Sequence, residues 1–179
     1  LKAEIIAVGT ELLLGQIANT NAQIISNALQ EIGIDVYFHT CVGDNQERLQ
    51  SVLETGLRRS DIIVLTGGLG PTKDDLTKET VAACLNLSLK LDKYSLDKIK
   101  SYFAKRGRPF TENNYKQALV PEGAIAIENK KGTAPGILLN KDGKIIIMLP
   151  GPPREMEPML RDEVIPYLSK MNSSTIFSK

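Results

Sequence analysis

The sequence holds no tryptophan, one histidine and two cysteines, and only 5% of its 179 residues are aromatic. With His39 alone, a serine–histidine hydrolase arrangement and histidine-ligated zinc both lack their parts. His39 sits in a strand-like run, where a structural role is the plainer reading. Cys41 and Cys84 form no CxxC pair and each falls in an apolar pattern, so both are expected as reduced core residues. Neither sign of charge dominates: 22 Lys and Arg stand against 21 Asp and Glu, for a net charge of +1. That balance gives no footing for a nucleic-acid partner. The longest apolar runs, Ile62 to Leu65 and Ile145 to Leu149, are far too short to cross a bilayer, so no membrane association is expected. Because the chain opens on a strand-like stretch, no leader peptide is expected either, and the cytosol is the expected address.

What is present is an ordinary globular composition, 42% hydrophobic and 24% charged, arranged as alternating strands and helices. Ala3 to Val8 reads as a buried strand ending at Gly9. A helix follows from Asn19 or Thr20, either of which can cap it, with Ile24, Ile25, Ala28, Leu29 and Ile32 on one stripe and Gly33 as its stop. Ile34 to Val42 is a second strand. Asp44 and Glu47 then have capping-box spacing for a helix carrying Leu49, Val52, Leu53 and Leu57. Asp61 to Thr66 is a third strand. Helices are expected over about 75–85 and 93–106, a short strand over 124–127, and a hairpin of 137–139 with 144–149 turning at Asn140 to Gly143. A last helix spans about 153–171, followed by a polar, loop-like tail over 172–179. The alternation predicts α/β architecture: right-handed crossovers and a mostly parallel mixed sheet covered on both faces.

In such sheets ligands bind at the carboxyl ends of the strands. There the chain places Gly9-Thr10-Glu11, Gly43-Asp44-Asn45 and the loop Thr66 to Asp75, TGGLGPTKDD. Three glycines in four positions let backbone amides approach an anion, and a helix opens just behind them. The spacing is neither that of a P-loop, since Thr72, Lys73 and Asp74 fall where Gly, Lys and Ser/Thr belong, nor that of a dinucleotide fingerprint. Asp74 and Asp75 could simply cap the helix; beside an anion-binding loop they also suit a bridging divalent cation, magnesium or similar. Thr10, Glu11 and Asp44 divide in the same way between turn residues and ligands. A second small-residue loop, Asn129 to Gly136, offers Lys130 and Lys131 to neutralise phosphate, and Gly132 and Thr133 for close approach. The basic stretch Lys90 to Arg108 reads as a solvated helix face, for want of interleaved aromatic residues.

Four segments together, GTELLLGQIANTN, TGGLGPTKDD, NKKGTAPG and LPGPPREMEPM, resemble the N-terminal domain of the competence- and damage-inducible CinA proteins, in the same order and over essentially the whole chain. More distantly the chain is similar to the molybdopterin-binding domains of MoaB, MogA and MoeA, which share the TGG-x-G loop with a following aspartate, here Asp75, and an aspartate after the second strand, here Asp44. Those relatives often carry an arginine where this chain has Asp74. The resemblance implies a three-layer αβα fold and domain limits of about 1–171.

The resemblance also implies a metal-dependent pyrophosphatase acting on ADP-ribose. Its catalytic residues would be Asp44 and Asp75, and its metal ligands Glu11, Asp44, Asp74 and Asp75. The substrate- and phosphate-binding set would be Thr10, Gly67, Gly68, Gly70, Thr72, Lys130, Gly132, Thr133, Gly151 and Pro152. The alternative is a non-catalytic module binding molybdopterin or a nucleotide through the same loops. The expected partner is a small nucleotide or pterin ligand, with self-association as a dimer or trimer. The amidase activity carried by a further domain in CinA proteins is not expected of this chain.

Overall fold

The apolar runs form the middle of one sheet. In the computed structural model, which describes residues 1–176 and side chains through residue 172, six strands stand in the order β2-β1-β3-β8-β7-β6. They are β1 (Lys2–Val8), β2 (Asp35–Val42), β3 (Ile62–Thr66), β6 (Ile125–Ile127), β7 (Gly136–Lys141) and β8 (Lys144–Leu149). The β1–β2, β1–β3 and β3–β8 pairs are parallel, while β7 is antiparallel to both neighbours. The hairpin turn is tighter than the sequence suggests, because Asp142 and Gly143, at φ 50° and 76°, make it alone.

Successive strand residues point to opposite faces, and the sheet is covered on both. Ile5, Val64 and Ile147 pack with α2 (Thr20–Glu31) and the C-terminal helices, and Ile6, Leu65 and Met148 pack with α3 (Gln46–Arg59) and α4 (Thr77–Cys84). This is a three-layer αβα sandwich. A smaller unit, α5 (Lys93–Lys105), α6 (Glu112–Gln117) and the two-stranded sheet of β4 (Leu89–Leu91) and β5 (Leu119–Pro121), has its own core of Leu96, Ile99 and Ala118.

Several local expectations are corrected. Cys41 is exposed and Cys84 half-buried, both free, so neither is a fully buried core thiol. The reason for Cys41 is position: β2 is an edge strand, and Asp35, Phe38 and His39 are exposed along it. His39 Nε2 lies 2.8 Å from the Ser26 hydroxyl, tying β2 to α2. A short helix α1 (Thr10–Leu13), too brief to leave a periodic signal, follows β1. The last helical stretch runs α7 (Pro153–Met159), a π segment (Leu160–Val164) and α8 (Ile165–Ile176), so residues 172–176 are helical rather than loop. Pro166 has no N–H to donate and its ring crowds the preceding turn, and the widened turn just before it relieves that clash. Residues 177–179 of the expected tail lie outside the described residues.

Candidate functional site

The chain enters β1, returns to β2 on one side, then crosses to β3 on the other, so the strand order reverses between the ends of β1 and β3. The crevice at such a reversal is where doubly wound folds bind ligands. Here it is a cleft of about 520 Å³. Its walls are Val8, Gly9 and Glu11 after β1, Asp44 after β2, Gly67 to Thr72 with Asp74 and Asp75 after β3, and Pro150 to Pro152 with Glu155 after β8. Gly132 to Ala134 close it from the β6–β7 loop, and Tyr102 and Gln117 from the smaller unit.

Two carboxylates in the cleft are each held by a threonine. Asp44 Oδ2 accepts from the Thr10 amide at 3.0 Å and its hydroxyl at 2.9 Å, and Thr10 Oγ1 in turn accepts from the Asp44 amide. Asp75 Oδ2 accepts from the Thr72 amide at 2.9 Å and hydroxyl at 2.5 Å. In each case one oxygen is committed and Oδ1 takes no hydrogen bond from the described residues. Neither aspartate caps a helix. Asn45 caps α3 by accepting from the Arg48 amide, and α4 begins only at Thr77, two residues past Asp75.

The glycine loop is shaped by the strands beside it. Gly67 has φ +100°, and its amide donates to Leu149 O; a Cβ there would collide with the Val8 carbonyl. Beyond it the amides of Gly68, Leu69 and Gly70 donate to no acceptor among the described residues, which leaves them for a ligand. The α4 N-terminus does not share that duty: Thr77 N is bonded to Gly68 O, and Thr77 and Lys78 are buried away from the cleft. Lys116 pins the end of the loop by donating to the carbonyl of Asp75 at 2.8 Å. Behind it Lys78 donates to the Lys116 carbonyl, and burial pushes its pKa down to about 8 against the pull of Glu79.

Opposite the loop, Asn129 organises the second turn. Its Oδ1 accepts from the amides of Lys131 and Gly132, and its Nδ2 donates to Glu155 Oε2 at 2.8 Å. Glu155 thereby lies against Gly132, where an added Cβ would displace its carboxylate.

Of the residues singled out in the sequence, Glu11, Asp44, Asp74, Asp75, Gly67, Gly68, Gly70, Thr72, Gly132, Thr133, Gly151 and Pro152 all line this one cleft. Thr10 stands behind Asp44. Lys130 does not join them: it lines a neighbouring cleft with Lys98, Lys105, Arg106 and Lys131. Gln117, Tyr102, Glu155 and Lys116 were not in the candidate set. Glu155 sat visibly within LPGPPREMEPM, whereas the other three come from the inserted unit, whose docking over the cleft leaves no local pattern.

Among the described residues the cleft therefore carries five carboxylates, Glu11, Asp44, Asp74, Asp75 and Glu155, and no Lys, Arg or His. All-oxygen donors suit a hard cation such as magnesium, not zinc. Among the described residues no three such side chains gather into a metal-sized group. A hard cation in this cleft would need a ligand's phosphate oxygens beside one or two of these carboxylates.

Comparison with known proteins agrees with this geometry. Residues 4–170 match the family described as "Probable molybdopterin binding domain". Competence-damage inducible proteins of Acetivibrio thermocellus and Bacillus cereus are 56% and 57% identical over 100% of this chain, which spans 43% and 44% of their own length. The crystal structure of CinA from Thermoplasma acidophilum, a protein of unknown function, superposes with a TM-score of 0.84 at 39% identity, covering 92% of this chain and 97% of that one. MoaB from Thermus thermophilus shares the fold at a TM-score of 0.60 and 18% identity, covering 95% of this chain and 94% of that one. The chain belongs to the probable molybdopterin binding domain family and, within it, to the CinA proteins.

Proposed function

We propose that this domain binds a phosphate-bearing small molecule, a pterin such as molybdopterin or a nucleotide, in the cleft at the β1–β3 reversal. One observation carries the reading: an amide-presenting glycine loop shares its cleft with five carboxylates and, among the described residues, no basic side chain. Phosphate beside such carboxylates is repelled unless a divalent cation bridges the two. The amides of Gly68 to Gly70 hold phosphate oxygens, and Asp44 and Asp75 offer their uncommitted Oδ1 atoms to the cation, with Glu11 and Asp74 at the margin. Calorimetric titration with magnesium pyrophosphate tests it; heat of binding that does not depend on magnesium contradicts it.

A second reading is hydrolysis of ADP-ribose to AMP and ribose 5-phosphate. What favours it is that two aspartates from different loops each keep one oxygen free of protein donors on the same wall. A bound divalent cation would supply charge neutralisation and a more acidic water. The protein's own part is to hold the phosphates on loop amides and, with no lysine in the cleft among the described residues, to leave charge neutralisation to the cation. Release of AMP with magnesium, abolished by chelation, supports this reading; ligand binding without AMP release leaves the binding module.

Self-association as a dimer or trimer belongs to the same reading. Edge strand β2, unpaired on its outer side and bearing exposed Tyr37 and Phe38, supports it. Light scattering at 19.6 kDa across a broad concentration range would contradict it.

A further inference from the structure

Gln117 ends α6 and is 1% exposed, yet only half of its amide is used. Nε2 donates to Thr133 Oγ1 at 3.1 Å, while Oε1 is buried and has no hydrogen-bond partner. Both residues stand on the cleft wall, beside Tyr102. A buried amide oxygen without a donor is costly, so its persistence here points to a group that arrives from outside. Thr133 completes the pattern. Its oxygen already accepts from Gln117, so its hydroxyl hydrogen, given to no acceptor among the described residues, is left to donate. An acceptor and a donor thus stand side by side across the cleft from the glycine loop.

We infer that Gln117 Oε1 and the Thr133 hydroxyl read the edge of an amino-heterocycle, with Gln117 accepting from its N–H and Thr133 donating to the neighbouring ring nitrogen or carbonyl. This rests on the phosphate-binding reading above and adds the residues that read the ligand's other end. Adenine and pterin rings both carry such an edge. A heterocycle lacking the amino group leaves Gln117 Oε1 unpaired again, and sites built this way reject such analogues strongly. Tyr102 supplies a flat wall where the cleft meets its basic neighbour.

The test measures binding of four magnesium-loaded probes, pyrophosphate, ADP, purine riboside diphosphate and 6-hydroxymethylpterin diphosphate, to the wild-type domain and to Gln117→Met. ADP or the pterin diphosphate, whichever the cleft takes, is expected to bind the wild type at least about tenfold more tightly than purine riboside diphosphate, and that preference identifies the source of the ring. Gln117→Met is expected to lower that affinity about tenfold and leave pyrophosphate within twofold. Equal binding of amino and desamino ligands by the wild type overturns the inference whatever the variant's folding. So does an unchanged preference in Gln117→Met. Failure of pyrophosphate itself to bind overturns the phosphate reading instead.

Discussion

Asp44 Oδ2 and Thr10 form a closed pair: the threonine gives both its amide and its hydroxyl to one carboxylate oxygen, across 34 residues of sequence. The pair locks the loop after β2 to the loop after β1 and leaves Asp44 Oδ1 without a hydrogen bond from the described residues. Asp44→Asn keeps an oxygen for Thr10 but removes the charge. The expected result is a stability change below ~1 kcal/mol and at least a tenfold loss of magnesium-dependent ligand affinity. Denaturant melts beside calorimetry check it, and wild-type affinity in a folded variant would sink the cation role.

Asp75 makes the equivalent pair with Thr72 inside the glycine loop. Asp75→Asn is expected to weaken magnesium-dependent binding by an order of magnitude or more with the fold intact. Asp75→Ala, which also removes the acceptor for Thr72, should cost about 1 kcal/mol of stability besides. If both aspartates serve one cation, the Asp44→Asn and Asp75→Asn losses should fall short of additive. Strict additivity would mean separate sites.

Lys78 predicts a pH dependence. Burial lowers its pKa from 10.5 to about 8 in the fold, so between those values the unfolded chain binds the extra proton. Stability contributed by this group is therefore reduced below pH 8 and rises as pH climbs toward 10.5, by about 3 kcal/mol in all. Urea melts at pH 8 and pH 10 should show about 2 kcal/mol of this increment in the wild type relative to Lys78→Met. Equal slopes in both proteins would contradict it.

Glu4 is fully buried in β1 and takes two hydrogen bonds from Arg59, at 2.9 and 2.7 Å, with further donors in Thr40 and Ser60. Arg59 also lies 3.5 Å over the Phe38 ring. Removing the guanidinium strands a buried charge. Arg59→Ala is expected to lower the melting temperature more than Glu4→Gln does, and the double variant should recover part of that loss. A double variant no better than Arg59→Ala alone would refute the pairing as the cause.

The central sheet was legible because strands such as Ile62–Thr66 and Lys144–Leu149 are buried on both faces and read as unbroken apolar runs. The convergence of Glu11, Asp44 and Asp75 was legible too, since parallel topology alone sends the loops after β1, β2 and β3 to one rim. Capping was misassigned at Asp44 because Asn45 beside it caps as well, and only the fold shows which one Thr10 claims. Lys130 was placed with the phosphate on charge alone; the Asn129 turn instead carries it to the neighbouring cleft. Gln117 and Tyr102 were invisible because nothing local says which surface the inserted unit covers.

The most direct test titrates the wild-type domain with ADP-ribose in the presence of magnesium and again with chelator, following binding by calorimetry and AMP by chromatography. Saturable binding that chelator abolishes, and that Asp44→Asn and Asp75→Asn each weaken at least tenfold, is the predicted result. Equal affinity with chelator, or in both variants, would contradict a cation-bridged phosphate in this cleft.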